Sequence, residues 1–370
     1  MDLAFSESQQ AIRDLAADIF AGQVTTDRLR EVEVSPDRFD RALWSELARA
    51  NLLGAGIAES DGGIGGGIIE ACLLLEQAGA SVAPIPLWPT LILGAFPLAR
   101  HGSSEQRRAW LPRVAAGEAV LTAAWTEPNA IDPTVPATTA TWDGDAWRLE
   151  GLKTNVPAAE VADRVLVPAA TEDGAGVFLI DPRGPGLDLA PQRGTSGEPM
   201  ALVELDGAAA PESEVLIEPG SNPDALRGMV DVALTGLCAM QVGLAESALR
   251  LTAGYLSERE QFGRPLGSFQ AVQQRIADCY IDVESMRWTM WQAAWLLAEE
   301  LAATEAVAVA KFWAADGGHR VFAAAQHLHG GIGVDLDYPL HRFTMRAKQN
   351  EMTLGGANAQ LARIGAEMAR

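Results

Sequence analysis

Cysteine is scarce in this chain of 370 residues, and the three cysteines that it contains form no pattern. Cys72, Cys238 and Cys279 are widely spaced and have no cluster of histidines beside them. This spacing argues against a disulfide framework and against a zinc site. We therefore expect a reducing, cytoplasmic location and no metal centre.

Positive charge is also scarce, since 28 Lys and Arg residues stand against 49 Asp and Glu residues and give a formal net charge of −21. Nucleic acids and anionic membrane surfaces are held by Lys and Arg, so both are poor partners for this chain. An anionic ligand such as a nucleotide or coenzyme A is compatible only with a local basic site.

Long uncharged apolar runs are not evident, although 48% of the residues are hydrophobic, so no membrane span is expected. The first residues include Asp2 and Glu7 and lack the basic and apolar segments of a signal peptide, so none is expected either. The length predicts a globular chain of two or three domains.

The pattern of residues changes near residue 120. Before that point apolar positions recur at helical spacing, and Ser6 with Gln9 forms a capping-box pattern ahead of the first helix. Residues 121–218 contain short apolar runs bounded by Pro and Gly, and Asp143-Gly144 between strand-like flanks indicates a hairpin. This middle segment therefore predicts a small β domain.

Residues 219–370 return to helical patterns. A first helix of about eight turns, a second capped by Ser268 and a third from about Thr304 are joined by short connections, as is typical of a four-helix bundle. The predicted fold class is α+β, with an N-terminal helical domain at 1–120, a middle β domain at 121–218 and the C-terminal bundle.

Two other kinds of site were considered, a glycine-rich nucleotide-binding loop and a Ser or Cys nucleophile, and the sequence lacks the residue spacing that each requires. The glycine-rich run at 59–67 has no following Lys-Ser or Lys-Thr, and it lacks the preceding strand and the glycine offsets of a dinucleotide fingerprint. We interpret it as a loop between helices. No Ser or Cys lies in a nucleophile elbow, so acyl-transfer chemistry is not indicated.

The segment YLSEREQFGRPLGSFQAVQQRIAD, from Tyr255 to Asp278, is much more specific. A long helix carries Arg259 to its C-terminal end, a turn follows, and another helix starts near Ser268. An Arg side chain beside a helix start suits a pyrophosphate group. The alternative for this Arg by itself is a surface ion pair with Glu258 or Glu260.

This segment resembles a signature of the flavin-dependent acyl-CoA dehydrogenases. The segment QHLHGGIGVDLDYPLHRFTMRAK, from Gln326 to Lys348, resembles the second signature of that family. The resemblance covers essentially the whole chain, including the order of helices, β domain and helices. It implies a helical domain, a β-barrel domain and a four-helix bundle, with FAD as the cofactor and an acyl-CoA as the substrate.

In that family the FAD is shared between subunits, and the bundle of one subunit completes the ADP half of the FAD that its neighbour holds. The resemblance assigns this role to nine positions: Arg259, Gln261, Phe262, Phe269, Gln270, His327, Leu328, Gly330 and Gly331. His327 falls where the family usually has Gln, while the backbone amides of Gly330 and Gly331 are expected to serve as donors.

The other half of the family's flavin site is depleted in this sequence. Thr126-Glu127-Pro128 is kept, but the Gly-Ser-Asp that follows it in the family is missing. Pro157 stands where the family has Thr, and Pro offers neither a hydroxyl nor an N–H group. The resemblance therefore implies that the chain completes a partner's flavin site and holds its own flavin poorly.

Catalysis in the family requires a carboxylate that removes the α-proton of the acyl thioester while the flavin accepts the β-hydride. The family's Glu follows the Arg that corresponds to Arg346, and the register places it at Gly355. In other members the Glu lies on the long helix before the Arg turn, at the position of Ala233. No catalytic residue is therefore present at the usual positions.

Three interpretations remain open. The chain could be the non-catalytic companion in a heterotetrameric (α2β2) acyl-CoA dehydrogenase of the actinobacterial steroid side-chain type, with a homologous Glu-bearing subunit as its partner. It could be a self-sufficient homo-oligomer with a relocated base, either Glu351 or Asp231. It could also be a flavin-free scaffold with the same fold.

The substrate is less visible in the sequence. Small residues at Gly355, Ala233 and Ala357 could leave a cavity for a bulky, ring-bearing acyl group, or neighbouring side chains could fill that space. Three basic residues are candidates for the CoA phosphates, or for ordinary surface or interface pairing: Arg342, Arg346 and Lys348.

Overall fold

The N-terminal part of the chain is helical in the computed structural model, which describes residues 4–369. The predicted capping box is confirmed, because the Ser6 hydroxyl accepts the N–H of Gln9 at 3.2 Å and the Gln9 side chain accepts the N–H of Ser6 at 2.9 Å. The helices are α1 (Glu7–Gln23), α2 (Thr26–Glu33), α3 (Arg41–Arg49), α4 (Ile68–Ser81), α5 (Phe96–His101) and α6 (Ser104–Ala115), with a π-helical segment at Trp88–Ala95 before α5.

The glycine-rich run at 59–67 lies in the connection between α3 and α4, which confirms the predicted loop. Its glycines allow close backbone packing: a Cβ added at Gly63 would lie 2.1 Å from the Ile57 carbonyl oxygen, and one at Gly66 would lie 1.8 Å from the Ala55 carbonyl oxygen. Close packing of the chain on itself accounts for glycine at these positions.

The middle of the chain forms an eight-stranded sheet in the order β6-β7-β3-β2-β4-β5-β8, with β1 beside β4. The strands are β1 (Leu121–Ala123), β2 (Thr139–Trp142), β3 (Ala146–Pro157), β4 (Arg164–Thr171), β5 (Gly174–Ile180), β6 (Leu187–Arg193), β7 (Pro199–Pro211) and β8 (Val215–Ile217). The hairpin predicted at Asp143-Gly144 is confirmed, since β2 and β3 pair antiparallel around it with Trp142 opposite Trp147.

The C-terminal part is helical again. Its helices are α7 (Ala225–Glu258), α8 (Gln270–Ala298), α9 (Thr304–His329), α10 (Leu340–Met352) and α11 (Ala357–Met368), and a short hairpin of β9 (Glu260–Gln261) and β10 (Arg264–Pro265) joins α7 to α8. The order of helical, β-sheet and helical domains confirms the α+β fold class.

The cap predicted at Ser268 is wrong. Helix α8 begins after Phe269, and the Ser268 hydroxyl donates a hydrogen bond to the Pro265 carbonyl at 2.7 Å. Ser268 belongs to a short 3₁₀ turn, Leu266–Ser268, so its side chain stabilises that turn and does not reach the helix start.

Two compact units are distinguished by their internal packing. One contains the chain up to Arg28, Cys72–Ala83 and the segment from Leu234 onward, and the other contains Leu29–Ala71 and Pro84–Ala233. The domain boundaries predicted after residues 120 and 218 refer to three domains in order along the chain. These boundaries stay predictions.

Helix α7 is long and apolar enough to cross a membrane, although no membrane span is expected from the sequence. In the fold, 89% of its most apolar window is buried, as in a core helix of a soluble protein. Buried side chains from three helices, Val242, Met286 and Val307, belong to the core of the unit that contains the C-terminal helices. The apolarity of α7 is therefore explained by packing.

A partly buried ion cluster joins α4, α7 and α8. The Arg287 guanidinium bonds to the Glu76 carboxylate, to Glu246 at 2.5 Å and to Glu284 at 3.3 Å. Burial raises the pKa of Glu76, while Arg287 opposes that rise. The cluster keeps a buried carboxylate paired in the core of this unit.

Candidate functional site

The connection between α7 and α8, together with the first residue of α8, forms an exposed turn, residues 259–270, called the Arg259 turn below. The N–H of Arg259 donates to the Tyr255 carbonyl at 2.9 Å, and its carbonyl accepts the N–H of Leu266 at 2.8 Å. Phe262 lies at the tip with a φ of 55° and 90% of its surface exposed. This left-handed conformation is rare for an aromatic residue, so the turn holds the ring outward against a backbone preference.

Charged and aromatic groups share this turn. Arg259 is exposed and forms no ion pair with Glu258, Glu260 or any other residue in the described range 4–369. The Arg264 guanidinium lies 4.0 Å from the ring centre of Phe269, whose ring packs edge-on against Phe262 at 6.1 Å. The side chains of Gln261 and Gln270 are exposed beside them. The turn therefore carries one Arg without an ion pair, Arg259, and a pair of aromatic rings with a second Arg, Arg264, over one of them.

The end of α9 and the short 3₁₀ segment after it, residues 327–334, are a second exposed feature and are called the Gly330 loop below. Gly330 has a φ of 63°, and its N–H donates to the carbonyls of Gln326 and His327, so this amide closes the helix. A Cβ added at Gly330 or Gly331 would meet no atom within 4 Å, which leaves the backbone open to close approach. His327 is exposed and Leu328 is half-buried at the same helix end.

A buried histidine joins these two exposed features. Nδ1 of His329 lies 2.8 Å from the Ala325 carbonyl oxygen, and Nε2 lies 3.0 Å from the Tyr338 hydroxyl. Because a carbonyl oxygen only accepts, Nδ1 carries the proton and Nε2 accepts from Tyr338. Burial lowers the pKa of His329, which favours this neutral form.

The ring of Tyr255 stacks on His329 with 4.5 Å between ring centres. Tyr255 lies one helical turn before Arg259, and His329 directly precedes Gly330. The stack therefore fixes the Arg259 turn relative to the Gly330 loop. Sequence reasoning missed this arrangement, although the aromatic residues within both signature segments were its visible signal.

In the β domain, the two segments that correspond to the family's flavin segments are tied together by a buried ion pair. The Glu127 carboxylate lies 2.6 Å from the Lys153 Nζ, and it also accepts the backbone N–H groups of Ala137 and Thr138 at 2.5 and 2.9 Å. The Lys153 ammonium also donates to the Pro168 carbonyl at 2.8 Å. Glu127 is therefore a structural anchor for the segment that follows it.

Pro157 ends β3, and its carbonyl accepts the Thr122 hydroxyl at 2.7 Å. Without an N–H or hydroxyl it offers no donor to a ligand. The frame of this half of the family's flavin site is thus present, whereas donor groups at this position are missing.

At Gly355, where the register places the family's base, the backbone turns sharply. Its φ is 92°, and an added Cβ would lie 2.8 Å from the Ala359 Cβ. The other position of the base, Ala233, is fully buried, and the Trp88 indole N–H donates to its carbonyl at 3.1 Å. Neither residue carries an ionisable group, and neighbouring atoms fill the side-chain space at Gly355.

The two candidates for a relocated base lie in different surroundings. The Glu351 carboxylate is 2.5 Å from the Lys348 Nζ and 3.5 Å from His319 Nδ1, so it is already engaged by cationic or polar neighbours. Asp231 is buried in α7. A general base has to be within reach of the proton that it removes, so these contacts, which hold Glu351 on its own neighbours, count against it as the proton acceptor.

The basic residues near these positions are mostly buried. Arg342 and Arg346 are buried on α10, and burial lowers the pKa of Arg346. Both offer little surface to a CoA phosphate, and Lys348 bonds to Glu351. Lys311, which sequence reasoning missed, is fully buried and donates to the carbonyls of Asn350 and Glu351 at the end of α10.

These groups fit one part of an FAD molecule better than the other. The Arg259 turn and the Gly330 loop supply a free cation, exposed rings and open backbone, which suit a pyrophosphate with an aromatic base. The β domain keeps its frame but has Pro157 in place of a donor. Among residues 4–369, no three His, Cys, Asp or Glu side chains cluster as metal ligands would.

The chain belongs to the acyl-CoA dehydrogenase family. Residues 6–118 match the acyl-CoA dehydrogenase N-terminal domain, and residues 227–369 match the acyl-CoA dehydrogenase C-terminal domain. This confirms the resemblance seen in the two signature segments. The family is FAD-dependent, so FAD is confirmed as its cofactor.

Individual relatives extend this likeness over the whole chain. The acyl-CoA dehydrogenase FadE27 of Mycobacterium tuberculosis is 39% identical over 100% of this chain and 99% of its own length. The ChsE4-ChsE5 complex from Mycobacterium tuberculosis contains a chain with a TM-score of 0.95 and 39% identity, covering 100% and 99% of the two chains. A variant of the Tcur3481-Tcur3483 steroid ACAD has a TM-score of 0.93 and 48% identity over 98% of both chains.

Proposed function

We propose that this chain is the companion subunit of a heterotetrameric, FAD-dependent acyl-CoA dehydrogenase. In this role it completes the FAD site of a homologous partner subunit, and that partner carries the catalytic Glu. The observation that carries the proposal is an asymmetry within the chain. The groups that suit the ADP part of FAD are exposed and held together, while both positions of the base lack a carboxylate.

The Arg259 turn binds the pyrophosphate of the partner's FAD in this proposal. Arg259 has no competing ion pair among the described residues, so its full charge is available to an anion. Phe262 and Phe269 offer ring surface to the adenine, and the Gly330 loop permits close approach of the backbone. The stack of Tyr255 on His329 holds the two features next to each other.

The reaction removes a proton from the α-carbon and a hydride from the β-carbon of an acyl-CoA thioester. The chemistry that FAD supplies when bound is acceptance of that hydride. This chain contributes binding and orientation of the cofactor, whereas the proton acceptor and the donors to the thioester oxygen belong to the partner.

Exposed apolar side chains support a protein partner. On α8, Tyr280, Ile281 and Trp288 are each more than half exposed, and Val334 and Leu336 follow the Gly330 loop with 68% and 72% of their surfaces exposed. Several large apolar residues exposed on one element, as on α8, are compatible with an interface. Two similar solved structures bear the names of two-component assemblies, ChsE4-ChsE5 and Tcur3481-Tcur3483.

The substrate class is an acyl-CoA with a bulky, steroid-type side chain. Support for this comes from the likeness to a protein described as a steroid ACAD. The proposed setting is cytoplasmic, where the three buried free thiols remain reduced.

Purification of the chain alone and together with a homologous Glu-bearing subunit tests the proposal. We expect weak or no flavin absorbance for the chain alone, and stable flavin with dehydrogenase activity for the complex. Stoichiometric FAD and activity in the isolated chain would refute it. If neither preparation binds flavin, the flavin-free scaffold is the correct description.

A charge deletion tests the role of the turn. Arg259→Ala should weaken FAD binding by the complex about 10- to 100-fold, because a charge-assisted hydrogen bond is lost. Arg108→Ala removes another exposed Arg, from α6, and should leave FAD affinity unchanged. Equal affinity of both variants would contradict the proposed contact.

Glu351→Gln separates this proposal from the relocated base. Under the proposal the complex keeps its turnover, since the partner supplies the base. Loss of turnover, with FAD content preserved, would instead identify Glu351 as the proton acceptor.

A further inference from the structure

We propose that this chain closes its own base position with a locked backbone turn, and that Gln360 is the positioning residue that holds the turn closed. The inference rests on the proposed function, because it explains why the carboxylate has to come from the partner subunit. It goes further in one respect: the position is blocked, so restoring a Glu at residue 355 does not restore a base.

The turn is built from two consecutive left-handed residues between α10 and α11. Leu354 has a φ of 55° and Gly355 a φ of 92°. This conformation suits Gly but is disfavoured for Leu, because its Cβ approaches the backbone. A Leu in this conformation persists only where surrounding contacts hold it.

Gln360 supplies such contacts from the first turns of α11. Its side chain is 1% exposed, and its Nε2 donates to the Gly355 carbonyl at 3.1 Å and, at the limit of a hydrogen bond, to the Leu354 carbonyl at 3.5 Å. Its own N–H donates to the Gly356 carbonyl at 3.2 Å. Opening the turn would move these carbonyls away and leave the buried amide of Gln360 without acceptors, so opening is unfavourable.

The other end of the turn is anchored as well. The Thr353 hydroxyl donates to the Gln349 carbonyl at 2.8 Å, and the buried Lys311 ammonium donates to the Asn350 and Glu351 carbonyls. The last turn of α10 therefore cannot unwind freely to make room for a larger residue at 355. Both flanks of the turn are fixed by buried side chains.

The space for a side chain at 355 is filled. A Cβ there would lie 2.8 Å from the Ala359 Cβ and 3.4 Å from the Gln360 Nε2. The adjacent Gly356 differs, since its φ is −78° and an added Cβ would meet its nearest atom at 3.5 Å. The block is specific to residue 355, and this makes Gly356 a matched control.

Alanine substitutions in the full chain test the block. Gly355→Ala should lower the midpoint of thermal unfolding by about 4–10 °C, because it combines a strained φ with a close contact. Gly356→Ala should change the midpoint by less than about 2 °C. Equal midpoints for the two variants would overturn the proposal.

Amide hydrogen exchange tests the role of Gln360. Gln360→Ala should speed exchange of the amides of residues 353–356 at least about five-fold, the effect of about one lost hydrogen bond. Asn358→Ala, a change at an exposed neighbour on the same helix, should leave these rates unaltered. Unaltered rates in Gln360→Ala would refute its positioning role.

Gly355→Glu provides the functional test, in a complex whose partner has its own base Glu replaced by Gln. We expect no dehydrogenase activity and no exchange of the α-proton of a saturated acyl-CoA with deuterated solvent. Exchange by this variant, with a wild-type unfolding midpoint, would overturn the proposal. If the turn behaves as expected but the wild-type complex holds no FAD, then the proposed function fails and the closed turn stands.

Discussion

Glu127→Gln removes the charge from the buried anchor of the β domain, and its effect on stability follows from the pKa of that carboxyl. Burial by itself would raise the pKa of Glu127, but hydrogen bonds from Lys153, Thr138 and Ala137 outweigh burial and lower it to about 2. The ordinary value is 4.5. A difference of this size corresponds to about 3 kcal/mol of folding free energy at neutral pH.

The sign of the pH dependence follows from the same shift. Because the folded-state pKa is below the unfolded value, this stabilisation is complete above pH 4.5 and is lost as the pH falls toward 2. The variant also leaves the Lys153 ammonium, itself buried, without its counter-charge. Loss of one partner of a buried pair typically costs about 3–5 kcal/mol.

Denaturant unfolding followed by tryptophan fluorescence measures this cost. Glu127→Gln should lower the free energy of unfolding by about 3 kcal/mol at pH 7, and the gap from the wild type should shrink below pH 4.5. Glu150→Gln, an exposed change in the same strand as Lys153, should stay within about 0.5 kcal/mol. The reasoning would be refuted if the wild type and Glu127→Gln had the same free energy of unfolding at pH 7, or if they differed as much at pH 3 as at pH 7.

Three further predictions concern the unit that contains the C-terminal helices. Burial lowers the pKa of Lys311 from 10.5 to about 8. As the pH rises from 8 to 10.5, the free energy of unfolding of the wild type should therefore increase by up to about 3 kcal/mol relative to that of Lys311→Met. The same pH dependence of both proteins, in denaturant series at pH 7 to 10, would contradict this. Tyr338→Phe removes the donor to buried His329, so it should cost about 1–2 kcal/mol by thermal unfolding and weaken FAD binding by the complex. Tyr280→Phe removes an exposed hydroxyl and should leave the unfolding midpoint of the isolated chain unchanged. Arg287→Met leaves Glu76 buried without its partner, so the free energy of unfolding should fall by about 3–5 kcal/mol at pH 7. Part of this loss should be recovered at pH 5, because the raised pKa of Glu76 allows the carboxylate to be protonated. Thermal unfolding of the wild type and the variant that shows no recovery at pH 5 would argue against a buried charge.

Much of the fold was visible in the sequence because it depends on short-range patterns. The capping box at Ser6 and the hairpin at Asp143-Gly144 involve residues within a few positions of one another, and both are confirmed. The cap predicted at Ser268 is wrong because the Ser268 hydroxyl bonds within a 3₁₀ turn instead of at the helix start. Residue type alone does not distinguish these two local structures.

The candidate site divides in the same way. The sequence register identifies Arg259, the Gly330 loop and the missing Glu at Gly355, since these depend on motif spacing. Contacts between distant segments were not visible: Glu127 pairs with Lys153, and Tyr255 stacks on His329. Polar residues such as these carry no periodic signal that would predict their partners.

The sequence by itself determined the family, the α+β fold class, the FAD cofactor and the absence of a carboxylate at residues 233 and 355. Only the tertiary structure decided that neighbouring atoms occupy the space that a side chain at residue 355 would need. A glycine in a sequence is compatible with an open cavity or with a closed turn, because it has no side chain to distinguish them. The left-handed φ of Leu354, the approach of Ala359 and the buried amide of Gln360 make that distinction, and each depends on how α11 packs back on the turn.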